Sequence, residues 1–245
     1  MPDRARVLLL TGASRGIGHA TVKRFSDGGW RVLTISRQPF DPRCPWKGGE
    51  RNHIQLDLSD IDRVHATLPH IAAMAGDRLD ALINNAAISP KKPGGTKITS
   101  LEMEYRDWLH VFNVNFFAAV ALVQGLRDHL VAARGNVVNI TSIVGSRVHP
   151  FASAAYATSK AALAALTREM AADLGRSGVR VNAVSPGEIE TAILSAGTSE
   201  IVERSIPLHR VGQPHEVADL LYFLCSENAS YITGSEVHID GGQRV

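Results

Sequence analysis

A short apolar run that leads through glycines into a helical pattern is the feature that most restricts how this chain can fold. Val7–Leu10 is followed by Gly12, Gly16 and Gly18, and then by residues with helical spacing. Gly12 permits a tight turn out of a strand, and the later glycines let a helix and a ligand approach closely. The amides that begin such a helix are unpaired donors at the positive end of its dipole. The segment therefore predicts a strand–turn–helix unit that holds a pyrophosphate.

The rest of the chain alternates short β-rich runs with helical patterns, which is typical of a parallel sheet covered on both faces. We expect an α/β fold, with one doubly wound domain over residues 1–245. The predicted strands are Arg6–Leu10, Arg31–Ser36, His53–Leu56, Ala81–Asn84, Asn136–Thr141, Val179–Ser185 and Glu236–Ile239. Helices are expected to begin near Gly16, Asp60, Glu102, Ala155 and Pro214. Leu101–Arg134 is unusually long for one helix, and its aromatic residues are expected in the core.

A second pattern contains side chains that can act together as an acid and a base. Tyr156 and Lys160 are four residues apart, and Ser142 lies fourteen residues before Tyr156. On a helix, residues four apart share a face, so the ammonium can lie beside the phenol and lower its pKa from ~10 toward neutrality. A phenol of this kind can act as general acid or base on a carbonyl, with Ser142 holding the substrate oxygen. Taken alone, the Tyr-Lys spacing is equally that of an ordinary amphipathic helix.

Together the two patterns resemble the short-chain dehydrogenase/reductase family, and the resemblance runs from about Arg6 to Gly242. Further motifs match that family in chain order: Asp57 after the third strand, Asn84-Asn85-Ala86 after the fourth, Asn115 within a helix, and Pro186-Gly187 with Thr191. The resemblance implies a Rossmann domain of about seven parallel strands. It also implies that Asn115, Ser142, Tyr156 and Lys160 are catalytic. In that family the asparagine holds a water that links the lysine to solvent.

The resemblance also implies a set of cofactor-binding residues, and the sequence has no ligand spacing typical of a zinc site. That set is Gly12, Ser14, Arg15, Gly16, Ile17, Gly18, Arg37, Asp57, Leu58, Asn85, Ala86, Tyr156, Lys160, Pro186, Gly187, Ile189 and Thr191. The second strand ends in Ser36-Arg37, where an NAD-dependent enzyme usually carries an acidic residue. Arg37 and Arg15 can instead pair with a 2′-phosphate. We therefore expect NADP(H) rather than NAD(H), unless both arginines are only solvated surface groups.

The expected activity is hydride transfer between the nicotinamide and a carbonyl or secondary alcohol, beneath a substrate lid at residues 188–214. The basic insertion Lys91–Lys97 favours a small or medium polar carbonyl substrate, although it also fits a solvent loop. One alternative is a 3-oxoacyl-acyl-carrier-protein reductase, which much of the chain resembles. The loop between Ile88 and Trp108 is, however, longer than those reductases usually carry. Another alternative is a catalytically inactive dinucleotide sensor, which the presence of Tyr156 and Lys160 disfavours.

Composition limits the remaining possibilities. The chain has 245 residues, 44% of them hydrophobic, and a formal net charge of +2. This mild charge predicts neither a nucleic-acid partner nor a membrane partner. No uninterrupted apolar run approaches the ~18 residues that span a bilayer, and the first residues lack an apolar signal core, so a cytoplasmic location is expected. The resemblance implies a homotetramer or homodimer, with the long helix and the helix from about Ala155 to Gly175 at the interface.

Overall fold

A computed structural model describes residues 5–42, 44, 46, 48–191, 194 and 197–245. Its sheet has seven parallel strands in the order β3-β2-β1-β4-β5-β6-β7. The strands are β1 Val7–Thr11, β2 Arg31–Ser36, β3 His53–Gln55, β4 Ala81–Asn84, β5 Asn136–Ile140, β6 Arg180–Pro186 and β7 Glu236–Ile239. Every predicted strand is present, with ends that differ by one residue at most. The predicted fold class is thereby confirmed.

Helices cover both faces of this sheet. They are α1 Gly16–Asp27, α2 Ile61–Ala75, α3 Tyr105–Phe112, α4 Ala118–Gly125, α5 Arg127–Ala133, α6 Ala154–Gly175, α7 Thr198–Ser205 and α8 Pro214–Leu224. Central strands are apolar on both sides because both faces are buried. Leu9 of β1 faces the core beneath α2, α4, α5 and α6, whereas its neighbours Leu8 and Leu10 face the core beneath α1 and α8.

Side-chain caps fix where several helices begin. Asp60 accepts a hydrogen bond from the Arg63 amide before α2, and Ser153 accepts one from the Tyr156 amide before α6. Gln213 and Glu216 form a capping box at the start of α8. Between β2 and β3, the described residues include a 3-10 turn over Gly49–Asn52, which agrees with the expected lack of a long helix.

The stretch predicted as one long helix is broken into pieces. A π turn over Asn113–Phe117 joins α3 to α4, and a further break at Leu126 separates α4 from α5. The prediction that the aromatic residues of this stretch lie in the core is wrong for Phe117, which is 42% exposed. By length and hydropathy, Tyr105–Gly125 would suffice to cross a bilayer. Here it packs against α6, and α4 also packs against α2.

Candidate active site

A cavity of about 660 Å³ opens at the carboxyl ends of the strands, where the strand order reverses between β1 and β4. This reversal is the switch point at which doubly wound sheets bind ligands. The cavity is lined by every residue that the sequence predicted to bind cofactor: Gly12, Ser14, Arg15, Gly16, Ile17, Gly18, Arg37, Asp57, Leu58, Asn85, Ala86, Tyr156, Lys160, Pro186, Gly187, Ile189 and Thr191.

The glycine turn is too tight for side chains. Gly12 has a positive φ of 71°, and a Cβ there would lie 2.8 Å from the Ala86 Cα. A Cβ on Gly18 would lie 2.1 Å from the Gly12 carbonyl oxygen. Asn85 holds the turn against β4, because its Nδ2 donates to the carbonyls of Thr11 and Gly12, both at 3.0 Å. The turn is therefore built with its backbone open to the cavity.

The first turn of α1 carries the donors that a pyrophosphate needs. The residue before the helix, Arg15, makes no side-chain cap, and there is no acidic residue in the first turn. The leading amides of a helix have no partner within it and lie at its positive end. This donor set fits the phosphates of a dinucleotide, in agreement with the prediction from the glycine pattern.

Arg15, in the glycine turn before α1, and Arg37, directly after β2, both line the cavity, and both are exposed. The turn that carries Arg37 is held from two sides: Gln55 Nε2 donates to the Arg37 carbonyl at 3.0 Å, and Ser36 Oγ donates to the Gln38 carbonyl at 2.8 Å. Asp57 lies nearby. Burial opposes its ionisation, but hydrogen bonds from Ser59 and the charge of Arg37 outweigh this and lower its pKa.

Ser142, Tyr156 and Lys160 meet at the opposite end of the cavity. Ser142 follows β5 and caps a 3-10 turn, and its side chain lines the cavity together with Tyr156. Tyr156 lies in the first turn of α6, with Lys160 one turn later. The Lys160 Nζ lies 5.7 Å from the centre of the Tyr156 ring and donates to the Ile140 carbonyl at 2.5 Å. The expected shared face is therefore present.

The prediction that Lys160 lowers the pKa of Tyr156 toward neutrality is wrong. The pKa of Tyr156 is raised, first because burial disfavours the phenolate and also because the carboxylate of Glu188 repels it; the Ser142 hydrogen bond only partly opposes this. Lys160 is 1% exposed, and burial lowers its pKa to about 7. Burial therefore disfavours the charged form of both side chains, and the proximity of Lys160 does not by itself bring the phenol pKa toward neutrality.

Asn115 lies in the π turn and is 2% exposed, outside the cavity lining. Its Oδ1 accepts from the Ile88 amide at 2.9 Å, and its Nδ2 donates to the Ile88 carbonyl and to Ser159 Oγ. Asn113 points elsewhere, as expected, and donates to the Ser59 carbonyl. Both amide hydrogens of Asn115 are thus in use. The side chain joins the loop after β4 to α6. To hold a water, as proposed, it would have to accept a second hydrogen bond at Oδ1.

Two residues that the sequence did not single out also line the cavity. His149 Nε2 and Glu188 Oε1 are 2.9 Å apart, and the side chains are 11% and 13% exposed. From the basic insertion, Lys91 lines the cavity, Lys92 pairs with Glu102, and Lys97 Nζ lies 3.4 Å from the His149 carbonyl.

The predicted lid, residues 188–214, lies partly outside the described residues, since 192, 193, 195 and 196 are not among them. Its first part is held by a β-bridge between Ile189 and Gly212, and α7 occupies its middle. The start of α7 approaches the loop after β5: a Cβ on Gly197 would lie 2.3 Å from the Phe151 ring. The lid therefore packs beside the catalytic end of the cavity.

A doubly wound sheet with a glycine turn at its switch point defines a dinucleotide-binding protein. The sequence model of the family described as enoyl-(acyl carrier protein) reductase matches residues 12–244. Protein FixR of Bradyrhizobium diazoefficiens is 55% identical over 98% of this chain and 87% of its own length. The 3-oxoacyl-[acyl-carrier-protein] reductase FabG of Aquifex aeolicus is 34% identical over 98% of this chain and 97% of its own.

A solved structure agrees with these sequence matches. It is an oxidoreductase of the short-chain dehydrogenase/reductase family from Brucella ovis, in complex with a partially ordered NAD. It is 53% identical with a TM-score of 0.84, over 96% of this chain and 100% of that one. The chain belongs to the short-chain dehydrogenase/reductase family of oxidoreductases.

Proposed function

We propose that this protein is an NADP(H)-dependent oxidoreductase that interconverts a polar carbonyl compound and its secondary alcohol. The observation that carries this proposal is the meeting of Ser142, Tyr156 and Lys160 at one end of a cavity whose other end is the glycine turn. This arrangement places an acid–base group within the same cavity as a dinucleotide site. Hydride transfer needs both.

In the proposed reduction, the carbonyl carbon would receive a hydride from the nicotinamide when the cofactor is bound. Ser142 donates a hydrogen bond to the carbonyl oxygen and holds it against Tyr156. Tyr156 donates its phenolic proton to that oxygen, so the product leaves as a neutral alcohol. Lys160 stabilises the phenolate that remains until a solvent proton replaces the one donated. In oxidation each proton moves in the opposite direction.

The preference for NADP(H) is supported by the charge at the end of β2. The side chain that follows Ser36 there is the guanidinium of Arg37 rather than a carboxylate, and Arg15 of the glycine turn lines the same cavity. A guanidinium pairs with a phosphate through two parallel hydrogen bonds, whereas a carboxylate would repel it. These two arginines would hold the 2′-phosphate of the cofactor, and the amides of α1 its pyrophosphate.

Assembly as a homotetramer, or as a homodimer, is supported by an apolar face on α3, the π turn and α4. Tyr105, Leu109 and Phe117 are exposed there, and the Phe112 and Phe116 rings pack beside them. A symmetric interface would cover this face. Oligomers are also typical of the family.

A turnover screen tests the proposed activity. Purified protein is mixed with NADPH, or with NADH, and a panel of ketones, hydroxyketones, sugars and acyl thioesters, and nucleotide oxidation is followed by absorbance. The expected result is faster oxidation of NADPH than of NADH with at least one polar carbonyl compound. No oxidation of either nucleotide, although NADPH binds, would contradict the proposal and favour a sensor.

A 3-oxoacyl-acyl-carrier-protein reductase is the second candidate, and the full-length match to reductases of that name favours it. The same screen separates the two. An acetoacetyl thioester that turns over faster than any hydroxyketone, and faster still when attached to carrier protein, would establish this second function.

A further inference from the structure

A carboxylate and an imidazole are in contact beside the catalytic phenol, and the mechanism above uses neither. His149 lies in the loop after β5, and Glu188 lies just after β6. The two side chains line the same cavity as Tyr156 and Ser142. They come from positions 39 residues apart in the chain, and their 2.9 Å contact joins two walls of the cavity.

Hydrogen bonds fix the protonation of this pair. The Phe151 amide donates to His149 Nδ1 at 3.2 Å, so Nδ1 must be the acceptor nitrogen of a neutral ring. The proton is then on Nε2, which donates to Glu188 Oε1. A neutral imidazole orients Glu188 but does not cancel its charge. The carboxyl group of Glu188 therefore lies in a largely enclosed site, with its side chain 13% exposed.

The backbone around Glu188 is rigid. Its carbonyl accepts from the Gly212 amide at 2.8 Å, and the amide of Gly187 donates to the Ile239 carbonyl at 3.0 Å. Within the described part of the chain, no donor reaches the second carboxylate oxygen, Oε2. The repulsion that raises the pKa of Tyr156 indicates that this charge acts on the phenol. A fixed acceptor beside the reacting atoms is a device for selecting substrate.

We propose that Glu188, oriented by His149, selects substrates that carry a hydroxyl on the carbon next to the reacting carbinol or carbonyl carbon. The hydroxyl donates to Oε2, and the substrate class is the vicinal diol and its hydroxyketone. The inference rests on the proposed function and deepens it. A hydrogen bond to an enclosed carboxylate is strong, whereas a substrate without a donor leaves Oε2 desolvated and without a hydrogen bond.

The same geometry disfavours two other substrate classes. A 2-hydroxy acid or 2-oxo acid would bring a second carboxylate next to Glu188, and like charges repel. A 3-oxoacyl thioester would present a carbonyl oxygen, which accepts hydrogen bonds and cannot donate one to Oε2. The His149–Glu188 pair therefore favours hydroxyl-bearing substrates over 3-oxoacyl thioesters.

Four alcohols of matched size test the inference in the oxidation direction with NADP⁺: butan-2-ol, propane-1,2-diol, 1-aminopropan-2-ol and lactate. They differ only in the group next to the carbinol carbon. For the wild type we expect kcat/KM for the diol to exceed that for butan-2-ol by roughly ten- to hundredfold. Lactate should be the poorest substrate. The amine distinguishes a site for hydroxyls from one for ammonium groups: turnover of the amine above that of the diol would overturn the assignment of a hydroxyl.

Variants test whether Glu188 and His149 cause the preference for the diol. In Glu188→Ala the ratio of diol to butan-2-ol should fall to about one, since the charged hydrogen bond is lost. The matched control is Glu190→Gln, which changes an exposed carboxylate two residues away and should leave the ratio unchanged. His149→Gln keeps an N–H that can reach Glu188 and should retain part of the preference, whereas His149→Phe should lose it through KM for the diol rather than through kcat.

Two negative results have different meanings. Equal turnover of butan-2-ol and the diol by the wild type, or an unchanged ratio in Glu188→Ala, would overturn this inference and leave the proposed oxidoreductase activity standing. Turnover of none of the four alcohols, and of none of the carbonyl compounds in the screen above, would overturn both.

Discussion

Replacing Lys160 with methionine should separate two effects of this residue: the loss of folding stability caused by its burial, and its role in catalysis. The pKa of Lys160 falls from 10.5 to about 7 because burial removes the hydration of the ammonium. At ~1.4 kcal/mol per pH unit, this amounts to about 5 kcal/mol of destabilisation when the lysine is charged in both the folded and the unfolded chain. Methionine has a similar length and carries no charge to desolvate.

The pH dependence follows from the direction of this shift. Above about pH 7 the folded chain releases the proton that the unfolded chain keeps until pH ~10.4, so the stability of the wild type rises with pH across this window. Below it, the full cost is present. Methionine also loses the hydrogen bond to the Ile140 carbonyl, and leaving that buried acceptor unpaired costs ~1–3 kcal/mol. We therefore expect Lys160→Met to be more stable than the wild type by ~2–4 kcal/mol near pH 6.

Denaturant unfolding of the cofactor-free protein between about pH 6 and about pH 9 measures this difference. The advantage of Lys160→Met should shrink steadily as the pH rises, and the variant should have lost its turnover. Lys23→Met is the matched control, because Lys23 is 70% exposed on α1 and its change in stability should not depend on pH in this window. A Lys160→Met variant that is less stable than the wild type near pH 6 would refute the reasoning.

Three other outcomes are expected. Arg37→Asp should weaken NADPH binding by roughly ten- to hundredfold without weakening NADH binding, as measured by fluorescence titration; wild-type protein that binds both nucleotides equally would contradict the phosphate site. Gly18→Ala should lower both thermal stability and cofactor affinity, because its Cβ would lie 2.1 Å from a carbonyl oxygen, whereas Gly175→Ala, with open space around it, should change neither. Light scattering should give the mass of four chains, or of two, and a mass near 26.4 kDa at micromolar concentration would exclude the proposed assembly.

The sheet was predictable because buried parallel strands are read directly as short apolar runs between turn residues. The residues around the cavity were predictable for a different reason, since the glycine turn and the Ser-Tyr-Lys spacing resemble a family whose motifs have known places in this fold. Asp57, for example, has no local signal of its own, and it was placed in the cavity by that resemblance alone.

The π turn was missed because apolar periodicity does not distinguish i→i+4 from i→i+5 hydrogen bonding. Phe117 was expected in the core because an exposed aromatic residue on a helix gives the same sequence pattern as a buried one. Spacing also could not give the pKa of Tyr156, since it reveals that Lys160 is close but not that both groups are desolvated.

The His149–Glu188 pair had no signal in the sequence. The two residues are 39 positions apart, and each lies in a segment without regular periodicity. Only the approach of the loop after β5 to the end of β6, which are brought together by parallel pairing of those strands, creates the contact. The residues proposed to select substrate therefore lie in loops whose conformations cannot be predicted from sequence patterns.

The turnover of Tyr156→Phe tests the central claim most directly, because the phenol oxygen is the proposed proton donor and the substitution removes little else. With a carbonyl substrate that the wild type reduces, turnover should fall by at least ~10²-fold, the scale of general acid catalysis. NADPH affinity, measured by titration on the same sample, should stay near the wild-type value. Turnover close to that of the wild type would contradict the assignment of Tyr156 as the catalytic acid.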